Sequence, residues 1–261
     1  MTVIACSNLK GGEGKTTLAW HLCHAAIELN LRALAVDLDP QGNLTTALRE
    51  TPRIPLTAGQ LFEANHSIDD APRDGLHLLP ADQALNSVAE LRETRKDLVR
   101  RASAGLRKLA QSYQLVIVDT PTNAPLCYLA GLASADWAVS PVQMDAFGLA
   151  GARDMLAAVQ NTKAHYNPRL RQLGFVVNRF NSRARTHHDM LATARQARLP
   201  LLDTVLGQRQ AVQDSLALGH PVWHGRRADR RASAEWRAAC AEILKAGGIE
   251  FSQRKLRRAV A

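Results

Sequence analysis

The 261-residue chain has no run of about eighteen apolar residues, which argues against a membrane-spanning helix. Its start has no charged stretch leading into an apolar one. An apolar run begins at Val3 instead, so no signal peptide is expected. Cysteine is sparse. Cys6, Cys23, Cys127 and Cys240 are scattered with no C-x-x-C pair, which speaks against a cysteine metal site or a disulfide framework. Thiols packed in a core within a reducing cytoplasm are expected. Internal repeats and low-complexity linkers are absent too, so one domain is expected over residues 1–248, followed by a basic tail at 249–261. Apolar content of 46% and charge of 22% are ordinary for a globular protein.

Net positive charge is missing from the first part of the chain and concentrated in the last. The net charge is +9. Residues 169–261 hold 18 Lys+Arg against 7 Asp+Glu, while residues 1–168 hold 15 against 17. Such asymmetry points to a polyanion, either nucleic acid or an anionic membrane. Arg179, Arg183 and Arg185 follow an apolar run, and Arg226, Arg227, Arg230 and Arg231 precede the last helical pattern. Contacts of these arginines with phosphates would be sequence-blind and salt-sensitive.

The stretch Leu9 to Thr17, LKGGEGKTT, lies between the apolar run Val3–Cys6 and the helical pattern Leu18–Leu29. Gly11, Gly12 and Gly14 keep side chains away, so backbone N–H groups and a helix N-terminus can converge on an anion. Lys15 can reach β- and γ-phosphates, and the hydroxyl of Thr16, followed by Thr17, can ligate Mg²⁺. The common spacing G-x-x-x-x-G-K-[ST] would put its first glycine at position 9, where Leu9 stands. Lys10 follows it as a second lysine at the entrance of the loop, free to aim at a triphosphate across a subunit interface.

Two further apolar runs end on carboxylates. Leu31–Val36 leads into Asp37-Leu38-Asp39-Pro40-Gln41-Gly42-Asn43, and Leu115–Val118 into Asp119-Thr120-Pro121. The carboxyl edge of a parallel sheet is where α/β ligands bind. Asp39 can equally serve a turn and the N-cap of a short helix at Leu44–Leu48. Other expected strands are Leu76–Pro80, Asp136–Val142, Leu173–Arg179 and Thr204–Arg209. Helices are expected at Ala84–Arg92, Leu98–Ala110 and Ala146–Val159, and at Ala234–Lys245 with Ser233 as its cap.

K-G-G-x-G-K-T-T resembles the deviant Walker A box of the ParA/MinD ATPase family, D-L-D-P-Q-G-N its switch I, and V-I-V-D-T-P its Walker B strand and switch II. The likeness spans about residues 2–246. It implies a P-loop NTPase-like α/β fold, a mostly parallel twisted sheet flanked by helices on both faces, and slow, partner-stimulated hydrolysis of ATP with Mg²⁺. Lys10 would cross an ATP-sandwich homodimer, and Lys15 would hold the phosphates. Asp39 would orient the attacking water, Asp37 would support its loop, and Thr16, Asp39 and Asp119 would serve the metal. The nucleotide would meet residues 10 to 17, with Asn178 at the adenine and Gly207 beside it. Asn178 reads as well as a turn residue bonded to its own backbone. The related strands usually end in Ile-Pro, so Leu206-Gly207 implies a looser loop at the base. Nothing resembling a DNA-binding extension precedes the P-loop.

Glu13 departs from the family, which mostly has a small or apolar residue there. A carboxylate beside a triphosphate is unfavourable unless it points away or meets a cation. It is expected to point outward, the alternative being a place at the dimer face against Lys10 or a partner's arginine.

Three functions follow. The first is a ParA-like ATPase, cytoplasmic and nucleoid-associated, that binds double-stranded DNA without sequence preference and segregates DNA or positions cargo, with a ParB-like partner. The second is a MinD-like membrane-associated regulator, although the tail has few apolar anchors and no stable insertion is expected. The third, a redox carrier like the nitrogenase iron protein, lacks a second cysteine suitably placed beside Cys127.

Overall fold

A computed structural model describes residues 1–64, 74–224 and 229–251. Seven strands form one parallel sheet: β1 (Thr2–Cys6), β2 (Ala33–Asp37), β3 (Leu76–Leu79), β4 (Leu115–Asp119), β5 (Trp137–Val142), β6 (Arg171–Phe180) and β7 (Leu201–Gly207), in the order β3-β2-β4-β1-β5-β6-β7. The helices are α1 (Lys15–Glu28), α2 (Asn43–Ala47), α3 (Arg95–Ala110), α4 (Pro125–Ser134), α5 (Ala146–His165), α6 (Arg185–Gln196), α7 (Gln210–Leu218) and α8 (Arg230–Ala246).

Apart from Thr2 and the terminal Asp37 and Asp119, strands β1, β2 and β4 are apolar, because both faces are covered. Their period of two divides the core. Val3, Ala5, Leu34, Val36, Val116 and Val118 face a layer built from α3, α4, α5 and α6. Ile4, Cys6, Ala33, Ala35, Leu115 and Ile117 face α1, α2 and α8. Strand β1 lies between β4 and β5, so the chain leaves it on one side through α1 to β2 and returns past it through α4 to β5. The loop after such a central strand opens at the carboxyl edge, where the ligand crevice of an open α/β sheet forms.

Several boundaries differ from the sequence expectation. Strand β2 begins at Ala33 because Asn30, at φ 54°, ends the preceding helix and the Leu31 N–H returns to the Ala26 carbonyl. Gln83–Glu90 is a 3-10 helix. Strand β7 occupies 201–207, and Arg209 is the N-cap of α7. The last helix begins at Arg230, not after Ser233. Asp229 is its cap, accepting the Arg231 and Ala232 N–H groups at 2.9 Å, while the Ser233 hydroxyl donates to the Val222 carbonyl. Arg230 and Arg231 therefore belong to the first turn of α8. All four cysteines are buried free thiols.

Helix α8 is tied to its neighbours by carboxylates. Glu242 accepts the Asp203 and Thr204 N–H groups of β7 at 2.7 and 3.0 Å, and Glu235 accepts that of Gly207 at 2.9 Å. Glu28 at the end of α1 accepts from Trp223 Nε1 (2.6 Å) and Arg237 Nη1 (2.7 Å), and pairs with His224 Nε2 at 2.9 Å.

Beneath this clamp, His21 stacks on Trp236 with ring centroids 4.0 Å apart. Burial lowers its pKa to about 3. His24 is lowered to about 4 by burial, with a smaller contribution from His224 and His220. Both are held neutral in the fold, whereas the unfolded chain binds their protons below about pH 6.5. Stability should therefore be full above that pH and fall as pH drops through 6.5 towards 4. The loss from each histidine is about 2 kcal/mol at pH 5. Urea melts between pH 7 and 5 check this, and His24→Gln should flatten the slope.

Candidate nucleotide site

The loop after β1 is shaped by backbone conformation and by neighbours from distant strands. Gly12 and Gly14 have φ of +78° and +102°, a region that side chains disfavour. A Cβ on Gly14 would also stand 2.5 Å from Asn178 Nδ2. Buried Asn8 donates to the Pro141 carbonyl (2.7 Å) and accepts the Lys10 N–H (3.0 Å), anchoring the loop to the end of β5. The free N–H groups at the start of α1 complete an anion cradle.

Lys15 is buried, and burial lowers its pKa while Asp119, Asp39 and Glu13 oppose the shift. Its ammonium donates to Thr122 Oγ1 at 2.7 Å. Thr122 was absent from the sequence reading. Its place three residues after the strand-ending Asp119 was the only clue. The Thr16 hydroxyl donates to Asp119 Oδ2 at 2.6 Å. Asp119 Oδ1 is buried without a hydrogen-bond partner, and the carboxyl pKa is raised well above the usual range by burial and then by Asp37. An orphaned carboxylate oxygen beside a hydroxyl suits a hard cation with oxygen ligands, so the residues present fit Mg²⁺.

Asp37 accepts the Asp39 N–H (3.1 Å) and both the N–H and hydroxyl of Thr45 (2.7 Å each), which holds α2 in place. Asp39 Oδ1 accepts the Gln41 N–H at 3.0 Å. The turn reading of Asp39 is thus realised, while Asp37 rather than Asp39 caps the first turn of α2. Asp39 also lines a cavity of about 450 Å³ with Gly11, Thr122, Leu85 and Leu126, on the side of the loop away from Asn178.

Asn178 makes the local backbone bond expected of a turn residue, its Oδ1 accepting the Arg179 N–H at 2.9 Å. Its Nδ2 also donates to the Glu13 carbonyl at 2.7 Å, a brace on the loop that the sequence did not suggest. Asn178, Gly207, Gly14, Thr17, Arg209 and Trp236 line a second cavity of about 200 Å³. Gly207 is not loose. Glu235 holds its N–H, and the same carboxylate holds Arg209 at 2.7 Å.

Glu13 does not point outward. It is fully buried, accepts the Gln143 N–H at 2.9 Å through Oε2 and meets Lys10 of its own chain at 2.9 Å through Oε1.

Arg179, Arg183 and Arg185 are exposed, as are Arg230 and Arg231. Gln208 N–H to Phe180 carbonyl (3.1 Å), Glu235 to Gly207, and Arg231 to Glu235 (3.5 Å) bring both groups to the carboxyl ends of β6 and β7. Arg226, Arg227 and residues 252–261 of the tail lie outside the described residues. Among the described residues, no helix is long and apolar enough to cross a membrane.

A family model described as an AAA domain matches residues 1–172. Protein IncC of Escherichia coli is 32% identical over 247 residues, covering 91% of this chain and 67% of that protein. The chain belongs to the ParA family of partitioning ATPases. The chromosome-partitioning ATPase Soj of Thermus thermophilus is 38% identical over 186 residues, 69% of this chain and 70% of Soj. A Mycobacterium smegmatis structure described as cobyrinic acid a,c-diamide synthase, with ADP and magnesium, superposes with a TM-score of 0.74 at 26% identity over 94% of this chain and 95% of that one. ATP and Mg²⁺ are the cofactors of this ParA-family ATPase.

Asp119→Asn separates fold from ligand. Removing a buried, poorly compensated carboxylate should leave the nucleotide-free protein as stable as the parent or more so. The Mg²⁺-dependent gain in nucleotide affinity should fall by about tenfold or more. Thermal melts and nucleotide titrations with and without Mg²⁺ check both halves.

Proposed function

We propose that ATP closes two copies of this chain face to face, that the closed dimer binds double-stranded DNA without reading its sequence, and that hydrolysis releases it to segregate DNA or position cargo on the nucleoid. The observation that carries the reading is the different depth of the two loop lysines. Lys15 is buried against Thr122, whereas the Lys10 side chain is 38% exposed at the rim. Lys15 serves the phosphates of its own protomer through the backbone cradle of Gly11, Gly12, Gly14, Thr16 and Thr17. Lys10 leaves its own rim to serve the nucleotide of the second copy. Thr16 and Asp119 hold the hydrated Mg²⁺, and Asp39, fixed by its turn, orients the attacking water. Asn178 and Gly207 flank the base.

Hydrolysis on this reading is slow, because the protein's own residues position the water without a strong general base. A ParB-like partner bound near the dimer seam would accelerate it. The exposed arginines at the ends of β6 and β7 support the DNA reading, since phosphate contacts need charge and reach rather than base-edge geometry.

Asp39→Ala should still dimerise with ATP but stall there, retaining DNA. Hydrolysis in a single-turnover assay should drop by about a hundredfold or more. Lys15→Ala should lose nucleotide binding itself. Reversing Arg179, Arg183 and Arg185 to Glu should flatten the salt dependence of DNA binding. Loss of two contacts in each protomer corresponds to about four units of log–log slope in a dimer. Binding to anionic vesicles with no ATP-dependent binding to DNA would replace this reading with the membrane-associated one.

A further inference from the structure

Glu13 stands inside the phosphate loop, and its backbone and its side chain are each held. Asn178 grips its carbonyl at 2.7 Å, and its Oε2 accepts the Gln143 N–H at 2.9 Å. The carboxylate is fully buried, and swinging it away would break its hydrogen bond with the Gln143 N–H. Its other oxygen is 2.9 Å from Lys10 Nζ. Lys10 also lies 3.6 Å from Asp145 and 5.9 Å from the ring centroid of Phe147, an aromatic side chain left 78% exposed. The hydrogen bond to Glu13 is the first cause of a raised Lys10 pKa. The carboxylate is therefore fixed and the long lysine side chain is the movable partner.

A buried carboxylate without its cation is strongly unfavourable, whereas the pair is tolerated. Lys10 is thus committed to its own protomer in this conformation. We propose that Glu13 is a positioning residue that latches Lys10 in its own protomer, and that the latch must open before Lys10 can reach the nucleotide of a second copy. The inference rests on the role across the dimer proposed above for Lys10. It explains why a carboxylate is tolerated in a phosphate loop: it serves a lysine, not the nucleotide. Two latches open for each dimer formed, so whatever one pair opposes is felt twice in the dimer constant.

The test uses Glu13→Gln, which keeps the shape and the acceptor for Gln143, and Glu13→Val, which replaces it with a buried apolar side chain should the first variant fold poorly. Each is made alone and with Lys10→Ala. In nucleotide-free protein, Lys10→Ala should lower the urea midpoint in the parent background and have little effect in either Glu13 background. That non-additivity reports the pair within one protomer. With a non-hydrolysable ATP analogue, sedimentation should show Glu13→Gln dimerising more tightly. About threefold for each pair becomes about tenfold in the dimer dissociation constant. Half-maximal ATPase activity should move to lower protein concentration by a similar factor. Additive stability effects would overturn the latch. So would Glu13→Gln and Glu13→Val dimerising no more tightly than the parent while Lys10→Ala dimerises poorly. If Lys10→Ala dimerises like the parent, the role across the dimer is wrong and the latch falls with it. Coupled stability effects would then place the failure in that role and not in the ion pair.

Discussion

The hydrogen bond between Thr16 and Asp119 is the contact on which the site depends. It joins the first turn of α1 to the end of β4, two elements separated by a hundred residues of chain and adjacent through β1 in the sheet. Asp119 is buried with one oxygen unpartnered, so the apo site carries an electrostatic strain that a cation would relieve. The same carboxylate pulls on Lys15 and is disfavoured by Asp37 and Asp39. Nucleotide and Mg²⁺ bound together would supply an anion for the loop amides and a cation for the carboxylates. Neither alone balances both halves.

Much of this was legible in the sequence because it is local. Glycines at fixed offsets, four apolar residues before an Asp, and a second lysine at the entrance of the glycine-rich loop each express a constraint within ten residues. Likewise, the unbroken apolar run Leu115–Val118 is what a strand buried on both faces requires. Helix α4 was not seen because its PLCYLAGLAS run is apolar nearly all round and has no amphipathic period. Helix α6 escaped for the opposite reason, with only Leu191 and Ala194 buried.

What the sequence could not show depends on partners far along the chain. Whether Glu13 faces in or out is decided by the Gln143 N–H, 130 residues away. Asn178 became a brace because β6 ends against the loop, a fact of strand order rather than of local pattern. The base-side loop was expected to loosen without proline, yet Glu235 from the last helix restrains it. In each case a long-range hydrogen bond overrode a local tendency.

The carboxylates of α8 along β7 have a consequence for assembly. An edge strand normally offers a row of N–H and carbonyl groups on which another chain can crystallise a new strand. Glu242 and Glu235 occupy three of those donors on β7 and place negative charge along the margin. Those three donors are not available to an incoming strand, so pairing of another chain along β7 is opposed there.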